Sequence, residues 1–307
     1  MATPTIYYTT TSSLSLDTPT GLAIDNELNR ILVSDTVNNR LVLYNIDGFE
    51  QVNTISSYDS NDFSAPAGIC YYNGYFYVCD SSNHTIVRLR ARDLQYKDHF
   101  GTVGTSGSTN ALLSTPWDIT HDKNYLYITD SGNSRIMKLN IRTLTYSAKT
   151  SNINGAFGVP RGITYKKDGG EALFISDYST GRIVKCKTDF TYIEQNSSTC
   201  TNPGNMCFVN DSLHISCGVT GDDTIQILTS DGLASASYYQ DTTITLDSPR
   251  GIKVYKDSII IADSNNDRLT VWRAYNALDS ITSTTTMKFG GRFYNNPFII
   301  LGKDSLL

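Results

Sequence analysis

Five aspartates in this 307-residue chain sit in one recurring phrase. Each ends a short apolar run. Asn follows three places later in four copies and Arg five places later in four. In order they are Asp35 with Arg40, Asp80, Asp130 with Arg135, Asp177 with Arg182, and Asp263 with Arg268. A carboxylate so placed could ligate a metal, move a proton, or accept bonds from loop N–H groups and a guanidinium. A carboxylate repeated in five copies, with Arg at one spacing in four of them, reads as a loop clasp rather than five active sites. The intervening Asn38, Asn83, Asn133 and Asn266 tolerate a left-handed turn. A sixth copy, SCGVTGDDTIQIL from Ser216, has Cys217 for the acid, Thr220 for the Asn, and adds Asp222 and Asp223. That loop is either drift in one tolerant repeat or a surface specialised for contact.

Other chemistry-bearing residues are sparse. His84, His99, His121 and His214 fall at unlike positions of the repeat, so they are not expected to form a three-His metal site. No Gly-x-Ser-x-Gly phrase points to a nucleophile. Six cysteines lack metal-ligand spacing. Cys70 and Cys79 lie on one expected hairpin, and Cys200, Cys207 and Cys217 share one region. All are expected as buried free thiols. Glycosylation sequons at Asn83, Asn196 and Asn210 carry little weight in a chain so rich in Asn, Ser and Thr.

The elements that carry these residues follow from a second phrase. An apolar residue and two spacers precede Pro, a variable residue, usually Gly, and an apolar run. Pro19, Pro66, Pro116, Pro160, Pro203 and Pro249 mark the copies, 47, 50, 44, 43 and 46 residues apart. That period is the length of a four-stranded propeller blade. Pro begins the innermost strand, where its missing N–H costs no ladder bond. Gly allows close backbone approach near the axis. The second strand runs into Asp, the third starts at Arg, and a weaker fourth precedes the next Pro. Closing the units into a ring protects the sheet edges.

The paired phrases, such as LDSPRGIKV and ADSNNDRLTVW, resemble NHL repeats over roughly residues 16 to 290. The resemblance implies an all-β, six-bladed propeller of four-stranded antiparallel blades, one domain over 1–307, with blades beginning near 19, 66, 116, 160, 203 and 249. Residues 1–15 or 282–289 are expected to complete the last blade. The tail 291–307, with Pro297 in a seventh Pro phrase, is expected at or beyond the seam, over it or reaching a partner.

The Pro-x-Gly mouths and Asp-to-Arg loops share one face, the expected binding surface. The residue after each Pro should ring its centre: Thr20, Ala67, Trp117, Arg161, Gly204 and Arg250. Trp and Arg are typical anchors for a protein partner, and also suit an acidic peptide or a glycan with Trp on the sugar face. Asp118 and Asn205 replace the usual Gly. They resemble the start of the calcium site of lactonase-like propellers, but the other blades supply no matching acid, so no cofactor or metal is expected.

Net charge is −5, with no basic block, which argues against nucleic acid. No apolar run reaches membrane-spanning length. Residues 1–13 lack a basic start and an apolar stretch, so no secretory signal is expected. The chain is expected in the cytoplasm, or assembled there into a larger particle. The expected function is non-enzymatic: a rigid disc docking a protein or glycan through its loop face, or a subunit of a homo- or hetero-oligomeric assembly. The alternatives are a structural component of a virus or phage particle, and a calcium-dependent lactonase-like hydrolase.

Overall fold

A computed structural model describes residues 5–11, 15–167, 170–197, 200–218, 223–229, 235–238, 245–275, 288–289 and 292–293. Six four-stranded antiparallel sheets form six blades. The innermost strands are Pro19–Asp25, Pro66–Tyr72, Pro116–His121, Pro160–Lys166, Pro203–Val209 and Pro249–Tyr255. Each lies against the innermost strands of its two neighbours, and the sixth lies against the first. The ring closes through Thr5–Thr11, which pairs with Arg268–Tyr275 as the outer strand of blade 6. Of the tail, residues 292–293 pair with 288–289; the remainder, Pro297 included, lies outside the described residues.

Burial is deepest in the second strands and least in the outer ones. Second strands such as Arg30–Asp35 and Tyr75–Asp80 are buried on both faces, because each sheet face packs on a neighbouring blade. Their runs are therefore continuously apolar rather than alternating. Outer strands such as Gln51–Ile55 and Tyr146–Thr150 are largely exposed. The core is six hydrophobic clusters, one between each adjacent pair of blades. Between blades 1 and 2, for example, Leu32 and Leu43 meet Phe76, Val78 and Leu89. Each such side chain contributes about 1.5–3 kcal/mol by leaving water.

Every innermost strand carries one irregularity. Pro116 faces Asp130, and pairing resumes at Ile119 with Ile128; the other five blades do the same. The extra residue is a bulge that lifts the variable residue and its successor out of the ladder and toward the axis. The backbones are tight there. A Cβ on Gly21 would lie 1.9 Å from the Ala67 carbonyl oxygen, and one on Gly162 would lie 2.1 Å from that of Gly204.

The aspartates hold the strap that feeds each blade. Oδ1 of Asp35, Asp80, Asp130 and Asp263 accepts the N–H two residues before the blade's Pro: Asp17 at 2.6 Å, Ser64 at 2.8 Å, Ser114 at 2.6 Å and Asp247 at 2.7 Å. Asp177 accepts the equivalent N–H, that of Gly158, through Oδ2, and its Oδ1 takes that of Val159. Oδ2 then accepts Nε of Arg40, Arg135, Arg182 and Arg268. Arg135 spends its other nitrogens on the carbonyls of Ser108, Thr109 and Leu112 in the same strap.

In blade 2, Thr85 stands where the Arg would be; the Tyr58 hydroxyl donates to Asp80 there, beside Asn83, whose counterparts Asn38, Asn133 and Asn266 donate likewise in blades 1, 3 and 6. Burial without a cation pushes the Asp80 carboxyl up to about 6. A folded value above the unfolded one contributes stability that is complete below the unfolded pKa and lost as pH rises through about 6. Asp80→Asn should therefore gain on wild type as pH rises from about 4 to 7, by at most about 3 kcal/mol. Urea titrations at a series of pH values would show this, and a gap independent of pH would contradict it.

Blade 5 corrects one expectation. Cys200 and Cys217 are joined in a disulfide and are not free thiols, whereas Cys70, Cys79, Cys186 and Cys207 are free and buried. Cys217 faces Pro203, where the other blades have Asp. Cys200 precedes that Pro by three residues, on the strap. The covalent bond thus joins the two segments that the carboxylate joins elsewhere.

Candidate functional site

The rim of the axis is built by hydroxyl latches between blades. In four blades the residue after the clasp Asp reaches the next blade's Pro carbonyl. Thr36 donates to Pro66 at 2.7 Å, and Ser81, Ser131 and Ser264 donate to Pro116, Pro160 and Pro19 at 2.5 Å. Blades 4 and 5 have Tyr178 and Gly218 at that position, and neither can make this bond in the same way. Both residues line one cleft, together with Trp117, Arg161, Asn205 and Arg250.

Four of the six expected mouth residues therefore meet at this cleft, three of them, Trp117, Arg161 and Arg250, through their side chains. The Arg161 guanidinium carbon lies 3.9 Å from the centre of the Trp117 ring and 4.4 Å from that of Tyr178. That of Arg250 lies 5.7 Å from the same Trp117 ring. Thr20 and Ala67 are instead fully buried, because the neighbouring large side chains and the tight backbone packing cover them. Gly204 contributes backbone to the cleft wall.

The charge balance of the cleft is unusual. Neither Arg161 nor Arg250 pairs with a carboxylate among the described residues, whereas Arg40, Arg135, Arg182 and Arg268 all do. Burial lowers the pKa of both, and the Arg250 charge lowers Arg161 further. Stacking on aromatic faces recovers part of that desolvation cost. Nε of Arg161 is buried with no acceptor, and Oδ1 of Asn205 is buried with no donor, among the described residues. The cavity is about 50 Å³, well below the several hundred Å³ of pockets that engulf a whole small molecule.

Asp118 lies deeper. Its Oδ2 accepts the Ile163 N–H at 3.0 Å. Burial raises its pKa, opposed by the charge of Lys253 and by that N–H. Asp118 and Asn205 supply two oxygens, and among the described residues no group of three His, Cys, Asp or Glu side chains comes together to hold a metal. The Asp223 carboxylate accepts the Ser248 N–H at 2.9 Å, which ties the blade 5 loop to the blade 6 strap. Asp222 lies outside the described residues. The sequence reading missed Tyr178, Asn202 and Gly218. The departure from Ser/Thr after the clasp acid in blades 4 and 5 was the signal that could have found two of them.

No family model matches the chain. Over 115 residues it is 26% identical to NHL repeat-containing protein 2 of Bos taurus, a stretch covering 33% of this chain and 16% of that protein. The chain is an NHL-like six-bladed β-propeller. Among solved structures, selenomethionine-substituted virginiamycin B lyase from Staphylococcus aureus matches this NHL-like propeller with a TM-score of 0.60 and 19% identity, over 88% of this chain and 99% of that one. A catalytically inactive variant of that lyase with quinupristin matches at 0.62 and 15%, over the same shares. At these identities the likeness is one of fold. Because an enzyme shares that fold, the architecture leaves catalysis open. Among the described residues no helix is long and apolar enough to cross a membrane.

Proposed function

We propose that this NHL-like propeller is a non-enzymatic docking disc that holds a protein or glycan partner through the loop face around Trp117, Arg161 and Arg250. The observation that carries the reading is the pair of arginines stacked on Trp117 with no carboxylate partner among the described residues. In this chain the buried clasp arginines are all neutralised locally. Two that are not, at the one place where the latches are interrupted, suit an outside ligand. Trp and Arg in a partly desolvated pocket are also the residue types that dominate binding energy at interfaces.

The test is crosslinking in the native source followed by mass spectrometry. Wild type is run beside Trp117→Ala/Arg161→Ala/Arg250→Ala, with circular dichroism to confirm that the fold survives. Loss of one partner with the variant is the expected result. A partner kept by both proteins would move the contact to the rim, where Tyr146, Tyr192 and Ile193 are exposed on outer strands.

A further inference from the structure

The cleft between blades 3 to 6 has unmet demands of two opposite kinds. Nε of Arg161 is buried and lacks an acceptor; Oδ1 of Asn205 is buried and lacks a donor, among the described residues. Asn205 is 4% exposed, so water reaches it poorly. The nearest described polar partner of Arg250 is weak: Nη1 reaches Thr20 Oγ1 only at 3.5 Å. Both guanidinium groups are held against Trp117, one of them also against Tyr178, so the aromatic rings fix their planes. An ordered pair of like charges over shared apolar walls repels itself and attracts an anion that can lie between them.

We propose, resting on the docking reading above, that this cleft receives a single carboxylate presented by an acidic side chain of a protein partner. Three features favour that occupant. A planar carboxylate matches guanidinium donors, accepting two or more charge-assisted bonds. An acidic side chain also brings an apolar stem that can lie against the Trp117 ring in the cleft wall; a bare inorganic anion cannot. The cavity of about 50 Å³ is one to two water volumes. It admits the tip of an Asp or Glu side chain but not a sugar ring, so a glycan acid would remain outside it.

Tryptophan fluorescence tests this directly. The chain has two Trp. Trp272 is 1% exposed and bonded through Nε1 to Thr270, so Trp117 reports the cleft. Titrating the full chain with N-acetyl-glutamate amide should give a saturable change, weakened by added salt. Acetate should bind more weakly, because its single methyl gives it little stem to lie against the Trp117 ring. Arg161→Gln and Arg250→Gln should each weaken the amide about tenfold or more. Their melting temperatures should hold or rise, since each removes one of two repelling charges. Inorganic phosphate or glucuronate binding more tightly than the acidic amide would overturn the proposal, as would no saturable response to it. A partner lost with the triple variant but no response to the amide would sink this inference alone. A partner kept by the triple variant would sink the docking reading with it.

Discussion

Replacing Asp130 with alanine will destabilise the propeller by about 3–5 kcal/mol, the largest effect expected of any single clasp substitution. The Arg135 side chain is 5% exposed and its Nε lies 2.6 Å from Asp130 Oδ2. Without the carboxylate, the guanidinium keeps its three carbonyl acceptors but loses its counter-charge, and water cannot replace it. The Ser114 N–H and Asn133 Nδ2 lose their acceptor in the same step. The melting temperature should fall by about 5–8 °C for a loss of this size. Asp35→Ala should cost less, because the Arg40 side chain is 32% exposed and can turn to solvent. Asp263→Ala should fall between, with Arg268 at 24%. Calorimetry on the three variants reads the order. Equal losses would mean that the strap N–H bonds, common to all three, carry the clasp and that desolvation of the arginine does not.

Cys217→Ser should cost about 3 kcal/mol, and reductant should lower the melting temperature of wild type to that of the variant. The closed loop spans 17 residues, and constraint of the unfolded chain scales with that length. The native state also loses the covalent link that joins strap and second strand in blade 5, where other blades have an acid clasp. Cys200→Leu/Cys217→Asp, made in one chain, places a carboxylate beside the strap without a cation, as Asp80 stands opposite Thr85 in blade 2, and should recover part of the loss under reducing conditions. The recovery stays partial because Thr224, not Arg, pairs with Cys217. If reductant leaves wild type unmoved, the disulfide is not what holds the strap of blade 5.

These two expectations show how differently the chain's parts can be read. Asp130 and Arg135 were legible as a clasp because the phrase recurs with one spacing, and each half sits at a strand end with its partner five residues away. What the repetition did not reveal was the other end of the clasp. The strap N–H that Asp130 holds belongs to Ser114, sixteen residues earlier, and it comes into reach only when the bulge after Pro116 seats the innermost strand. The disulfide was invisible for a related reason. Cys207 and Cys200 are both near Cys217 in sequence, and only the strap's path beside the second strand selects Cys200.

By itself the sequence determined the architecture: the blade count, the Pro that starts each innermost strand, the acid that ends each second strand, and the face where both meet. Those features are local and repeated, the Pro in six blades and the acid in five, so each copy corroborates the others. The outer strands were poorly legible because they are exposed and carry little apolar pattern. The tertiary structure alone decided that residues 5–11 close the ring, that Thr20 and Ala67 are buried while Trp117, Arg161 and Arg250 converge, and that Tyr178 and Gly218 open a cleft beside them. Each depends on which residues of different blades face one another across the axis. That is set by ring closure and by the size of neighbouring side chains, neither of which any single repeat contains.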